Sequence, residues 1–191
     1  KNGYEVHGIE IHENTRKSIS SRKAHFHEPG IDGLLETYLD KQLFVHEEVP
    51  TDIEFSVFII SVGTPLASDG VTAPNMKILK KCITDVAKAL RNETLVILRS
   101  TVPVGTTRQV ENEILSNSDI NAINIAFCPE RTAEGNALIE LQELPQVVSG
   151  NSKLAIEKSK SFFYPLVDEV VVASSIEEAE ITTQLITLIL L

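Results

Sequence analysis

A chain of 191 residues with 42% hydrophobic and 23% charged side chains is long enough to bury one sizeable core and too short for two full domains. Its formal net charge of -10 repels polyphosphate backbones, and no basic patch overrides the average, so no nucleic acid is expected as a partner. The longest apolar run outside strands, residues 185–191, is interrupted by Thr187 and falls short of the roughly 20 residues that a bilayer span needs, so no membrane association is expected.

In chain order, Lys1-Asn2-Gly3 lacks the charged stretch, apolar core and cleavage site of a signal peptide, and a cytoplasmic location follows as the expectation. Gly3 stands where a glycine closes a helix, directly before a strand at 6–11, so a preceding element is expected. A dinucleotide-binding unit runs strand, G-x-G-x-x-G, helix, second strand, then an acidic residue about 20 positions past the fingerprint. Glu10 fits that acid, but no G-x-G lies upstream of it. The first strand and its phosphate loop are therefore expected outside this chain. On spacing alone, Glu10 reads equally as a solvated strand-end carboxylate.

His25-Phe26-His27-Glu28 lacks the partner pair of a zinc site and reads as a solvated loop before a helix at 31–40. A strand at 55–60 is followed by Ser61-Val62-Gly63-Thr64-Pro65. From 75 to 90, Met76, Leu79, Ile83, Val86 and Leu90 recur at three- and four-residue steps, predicting a helix that covers the sheet and buries Cys82 as a core thiol. A strand at 94–98 leads into Ser100-Thr101-Val102-Pro103-Val104-Gly105-Thr106-Thr107 and a helix at 105–115. A strand at 123–127 leads into Cys128-Pro129-Glu130-Arg131-Thr132-Ala133-Glu134-Gly135. A helix at 151–163 and a strand at 170–172 follow, and the carboxylates of Glu177, Glu178 and Glu180 read as complements to a helix dipole, like the nearby Asp168 and Glu169 as plain charge. The alternation predicts an α/β, Rossmann-like doubly wound parallel sheet that lacks its first strand and glycine-rich loop.

Open parallel sheets bind ligands at the carboxyl ends of their strands, where three of these loops fall. Gly63 allows close backbone approach, Ser100 and Thr101 supply hydroxyls, and Thr106 and Thr107 are placed to cap the next helix and leave its amides facing a ligand. Glu130 and Glu134 supply carboxylates. Each loop taken singly also reads as ordinary turn chemistry. Three at successive strand ends point to a site.

VGTP at 62–65, STVPVGTT at 100–107, CPERTAEG at 128–135 and LPQVVSG at 144–150, with EPG at 28–30 and AE at 179–180, resemble the UDP-glucose/GDP-mannose dehydrogenase family in order and spacing across nearly the whole chain. The resemblance implies oxidation of the C6 alcohol of a nucleotide sugar to a carboxylate in two hydride transfers to NAD+, through an aldehyde and a cysteine-bound thioester. It implies NAD as cofactor, with Glu10 as the ribose-binding acid and Gly63, Thr64 and Pro65 as the cofactor loop. Thr101, beside Ser100, matches the threonine that helps hold the nicotinamide end and a catalytic water. Glu130 matches an acid-base or water-activating glutamate, and Glu134 a second one near the cofactor. Arg131 is more similar to the UDP-N-acetylhexosamine branch, so the implied UDP-sugar is UDP-N-acetyl-D-mannosamine, with UDP-glucose and UDP-N-acetylglucosamine as alternatives.

The departures count as much. The family pattern places a lysine and an asparagine where this chain has Thr183 and Thr187, and its nucleophilic cysteine would lie beyond Leu191. Cys128 is not expected to replace it. Residues 1–173 are expected to form the NAD-binding domain, truncated at its N-terminus, and 174–191 to open the interdomain helix of a homodimer, in an enzyme of polysaccharide synthesis. The isolated chain is expected to be inactive. A non-catalytic remnant that acts as a nucleotide- or protein-binding module stays open. Another NAD-dependent hydroxyacid dehydrogenase would share the fold without CPERTAEG.

Overall fold

The computed structural model describes residues 2–63 and 76–189, with side chains of the last helix as far as Gln184. In chain order the elements are β1 (Val6–Ile9), α1 (Glu13–Ser20), α2 (Ile31–Tyr38), β2 (Leu43–His46), β3 (Val57–Ile60), α3 (Lys77–Ala89), β4 (Leu95–Leu98), α4 (Thr106–Asn117), β5 (Asn124–Phe127), α5 (Ala137–Glu143), β6 (Gln146–Gly150), α6 (Lys153–Phe163), β7 (Val170–Val172) and α7 (Ile176–Ile189). They form two compact units: residues 1–50 with 132–144, and residues 51–131 with 145–191.

In the first unit β1 and β2 pair in parallel, from Val6 opposite Leu43 to Ile9 opposite His46. Val6 and Ile9 remain exposed, so β1 is a half-covered strand. The His7 ring stacks against Phe44 and His46, and its Nδ1 lies 2.9 Å from His46 Nε2. Leu35 and Leu39 are the buried apolar anchors at α2. Polar links do much of the remaining work: Asp32 accepts from the Ala24 N–H at 2.8 Å and pairs with Lys23 at 2.9 Å. Those two contacts hold the Asp32 carboxyl below its ordinary value, the Ala24 N–H first among the causes.

The second unit is built on a five-stranded sheet of order β3-β4-β5-β6-β7. β3, β4 and β5 are parallel, in register from Val57 opposite Leu95 and from Leu95 opposite Asn124. Every residue of β4 and β5 is buried, as a parallel strand covered on both faces requires. Strand alternation sorts their side chains. Val96, Leu98, Ile125 and Phe127 join α3, α4 and α7 in one core, whereas Leu95, Ile97, Ala126 and Cys128 join Val148 and α6 in the other. This is the doubly wound Rossmann-type arrangement, with α3 covering the sheet through Leu79, Ile83 and Val86.

β6 departs from an all-parallel sheet by pairing antiparallel with β5. Side chains lock that register: Ser149 Oγ donates to the Phe127 carbonyl at 2.9 Å, and Asn151 Nδ2 donates to the Ile123 carbonyl at 2.8 Å. Gly150 lets α6 start against the strand, because a Cβ there would lie 3.0 Å from Ala155 Cβ and 3.1 Å from the Ile156 nitrogen.

Candidate functional site

The parallel register carries three motif loops to one place. Beyond the strands the ladder continues: Arg99 N–H donates to the Ile60 carbonyl at 2.9 Å, Cys128 N–H to Leu98 at 2.9 Å, and Glu130 N–H to Arg99 at 3.1 Å. Ser100 Oγ then donates to the Val62 carbonyl at 2.6 Å. The residues after β3, β4 and β5 thus lie side by side at the carboxyl end of the sheet, where open α/β sheets hold their ligands. Ser100 spends its hydroxyl on the neighbouring loop, and Thr101 is exposed beside it. Among the described residues, a Cβ at Gly63 would meet nothing within 4 Å. Thr64 and Pro65 lie outside the described residues.

Glu130 is held at both carboxylate oxygens. Oε1 accepts from the Arg131 N–H at 2.9 Å, and Oε2 accepts from Arg99 Nη2. Arg99 is 8% exposed, which makes it a buried guanidinium. Its Nη1 donates to Gln146 Oε1 at 2.9 Å, and its Cζ lies 5.2 Å from the centre of the Phe163 ring. Arg99 lies just outside the STVPVGTT motif, and Gln146, although inside LPQVVSG, carries no sequence mark of its role as the partner of Arg99. Alternation offered the signal, since Arg99 follows Ile97 and Glu130 follows Cys128 by two residues, on one sheet face.

The expectation that Thr106 and Thr107 leave the α4 amides open to a ligand is overturned. Glu180, fully buried on α7, accepts from Gly105 N–H at 2.6 Å, Thr107 N–H at 2.8 Å and Thr107 Oγ at 2.7 Å. A carboxylate at a helix N-terminus satisfies its orphan donors and meets its dipole, so this side chain occupies the anion position itself. Glu180 is therefore more than surface charge at a helix start. That description suits Glu177 and Glu178, which are held below the usual carboxylate range chiefly by the Glu177 backbone N–H with Arg108, and by Ser174.

A second correction concerns Glu28. His25 and His27 are exposed, as a solvated loop requires, but Glu28 is buried and accepts from the Gly135 N–H at 2.8 Å and the Leu138 N–H at 3.3 Å. It caps the start of α5 and ties down the turn that carries the exposed Glu134. No group of three metal-ligating side chains occurs among the described residues.

Glu10 sits just past the carboxyl end of β1, partly exposed, with Oε1 accepting from the His12 N–H at 2.7 Å. An acceptor at that position fits the two hydroxyls of an adenosine ribose and opposes a 2'-phosphate. Both thiols are unsuited to nucleophilic work: burial pushes Cys82 up to about 11 and Cys128 up to about 12. Thr183 is buried, with its hydroxyl donating to the Ala179 carbonyl of its own helix at 3.1 Å. No described helix is long and apolar enough to cross a membrane.

Comparison with known proteins gives a concordant result. The family described as "UDP-glucose/GDP-mannose dehydrogenase family, NAD binding domain" matches residues 1–167. A UDP-N-acetyl-D-mannosamine dehydrogenase of Campylobacter jejuni is 29% identical over 187 residues, covering 93% of this chain and 45% of that protein. One from Pyrococcus horikoshii is 32% identical over 165 residues, covering 84% of this chain and 39% of that protein. The solved UDP-D-ManNAc dehydrogenase structure from Pyrococcus horikoshii superposes with a TM-score of 0.86 at 28% identity, covering 95% of this chain and 44% of that one. A ternary complex of GDP-mannose dehydrogenase from Pseudomonas aeruginosa shares the fold, with a TM-score of 0.84 at 22% identity, covering 97% of this chain and 44% of that one. The chain thus spans less than half the length of these relatives.

Proposed function

The chain belongs to the UDP-glucose/GDP-mannose dehydrogenase family as its NAD-binding domain, and on that premise we propose that it is the cofactor-binding part of a UDP-sugar 6-dehydrogenase. The substrate we assign is UDP-N-acetyl-D-mannosamine, oxidised at C6 to the uronate in two steps. The similarity of relatives bearing that activity supports the choice, as does Arg131 beside Glu130. The observation that carries the proposal is the alignment of Val62, Ser100 and Glu130 at the ends of adjacent parallel strands.

NAD supplies the hydride acceptor. Glu10 accepts the adenosine ribose hydroxyls, and Gly63, Thr64 and Pro65 belong to the motif that contacts the cofactor. Ser100 and Thr101 line the nicotinamide end, and Glu134 lies near the cofactor. Glu130 accepts the proton of the reacting alcohol or polarises the attacking water, and Thr101 helps to hold that water. The whole enzyme is proposed to be a cytoplasmic homodimer paired through the helix that α7 opens, serving polysaccharide synthesis. Residues 1–173 form the cofactor domain in this scheme, and 174–191 begin the joining helix.

Titration of the 15N-labelled chain with NAD+ tests this. The proposal expects amide shifts at Glu10 and His12 and at Gly63, Ser100, Thr101 and Glu130. An unchanged spectrum at millimolar NAD+ defeats it. The burial of Thr183 favours a second reading, a non-catalytic module, since a buried hydroxyl bonded to its own helix does not replace a lysine. Turnover of UDP-sugar by the isolated chain would count against both.

A further inference from the structure

We propose that Arg99 is a positioning residue that sets the orientation of the Glu130 carboxylate, with Gln146 as the partner that aims Arg99. The inference rests on the reading of Glu130 as the proton-accepting group, and it goes beyond that reading by naming what holds the group in place. Glu130 is 39% exposed at its side chain, so solvent alone would leave it several rotamers. Its Oε2 meets Arg99 Nη2, while Oε1 accepts from the Arg131 N–H at 2.9 Å. A carboxylate gripped at both oxygens keeps one plane, and the planar guanidinium, with one nitrogen on Glu130 and the other on Gln146, fixes the direction of one of those grips.

Arg99 can impose that plane because it is itself immobile. Its side chain is 9% exposed, Phe163 lies beneath the guanidinium at 5.2 Å, and Gln146 Oε1 accepts from Nη1 at 2.9 Å. Gln146 Nε2 donates in turn to the Pro129 carbonyl at 3.2 Å and the Val147 carbonyl at 2.8 Å. Pro129 precedes Glu130, so the contacts close a ring through Gln146, Arg99, Glu130 and the backbone between Glu130 and Pro129. Side chain and backbone of Glu130 are thereby held by the same pair. Burial of an arginine at the exit of an all-apolar strand is costly unless its donors are met, and the acceptors that meet them are what aim it.

The test is the χ1 rotamer of Glu130 in the 191-residue chain, read from three-bond couplings of its Cγ to backbone nitrogen and carbonyl carbon. The wild type is expected to show the coupling pattern of a single rotamer. Arg99→Gln loses that pattern to rotamer averaging, while amide shifts of α3 and of β1 and β2 stay in place. Arg99→Lys, which keeps the charge without the fork, restores it in part. Gln146→Leu leaves the arginine in place and loosens it, so it carries the test should Arg99→Gln not fold. A single rotamer for Glu130 in either the Arg99→Gln or the Gln146→Leu chain overturns the proposal. The readout uses neither cofactor nor substrate. If Glu130 loses its rotamer as expected but its amide does not respond to NAD+, the functional reading fails and the positioning role stands.

Discussion

The two units bury their strands in opposite ways. In the five-stranded sheet β4 and β5 are wholly covered, with apolar side chains alternating into two cores. In the two-stranded sheet no residue of β1 or β2 is fully buried, and His7, Asp32 and Glu28 bring hydrogen bonds where the other unit brings hydrocarbon. A pair of short strands cannot cover both its faces, so it has less apolar area to gain and leans on directional contacts. The lesson is that the motif loops rest on unequal foundations. Glu130 stands on a dense core, whereas Glu10 and Glu134 stand on a polar one.

The largest effect that would test this contrast is expected from Phe127→Ala. Removing a fully buried aromatic should cost about 3–5 kcal/mol in urea unfolding. A loss below about 1 kcal/mol would show that the five-stranded core is not the dense one that its burial implies. Glu180→Ala comes next, at about 3 kcal/mol, since it strands the Gly105 and Thr107 donors in a buried place. Glu180→Gln should cost less because it keeps an acceptor. Equal losses in the two variants would remove the charge from the explanation.

Glu28→Ala should cost about 1–2 kcal/mol, the range for a lost helix cap. Its signature is faster hydrogen exchange at Gly135 and Leu138 with the β4 and β5 amides unchanged. Exchange that spreads to β4 would mean the two units do not open separately. Alkaline pH probes the five-stranded core without a substitution. The Cys128 thiol is raised from an ordinary 9.0 to about 12, chiefly by burial, so the folded state keeps a proton that the unfolded state gives up. Its stabilisation is present below about pH 9 and is lost as the pH climbs through about 12. Thiol labelling at pH 8 checks the same burial: Cys128 should react only on unfolding, and Cys82, less buried and raised to about 11, should react sooner.

Much of the sheet was legible because its physics is local. The helix at 75–90 and the strands at 94–98 and 123–127 declare themselves through periodicity, and the structure places α3, β4 and β5 within those bounds. Elements without an apolar rhythm escaped: α1 and α5 have no buried residue, and β2 is too short to alternate clearly. β6 lay unnoticed inside the LPQVVSG motif, and its antiparallel pairing depends on Ser149 and Asn151 reaching β5. The site followed the same division. The strand-end motifs were visible as loops, but the occupants of their hydrogen bonds were not.

Glu130, Glu180 and Glu28 make the limit concrete. Sequence by itself determined that carboxylates follow these turns, that strand and helix alternate from β3 to β5, and that the motif set is that of the nucleotide-sugar dehydrogenases, because periodicity and motif spacing are properties of neighbouring residues. Only the tertiary structure decided which carboxylate faces solvent beside a buried arginine and which seal helix N-termini. Those partners lie 31 residues from Glu130 at Arg99, 73 from Glu180 at Thr107 and 107 from Glu28 at Gly135. At such separations the role of a charged side chain is set by which donors the packed backbone leaves unmet, a quantity that exists only once the chain has folded.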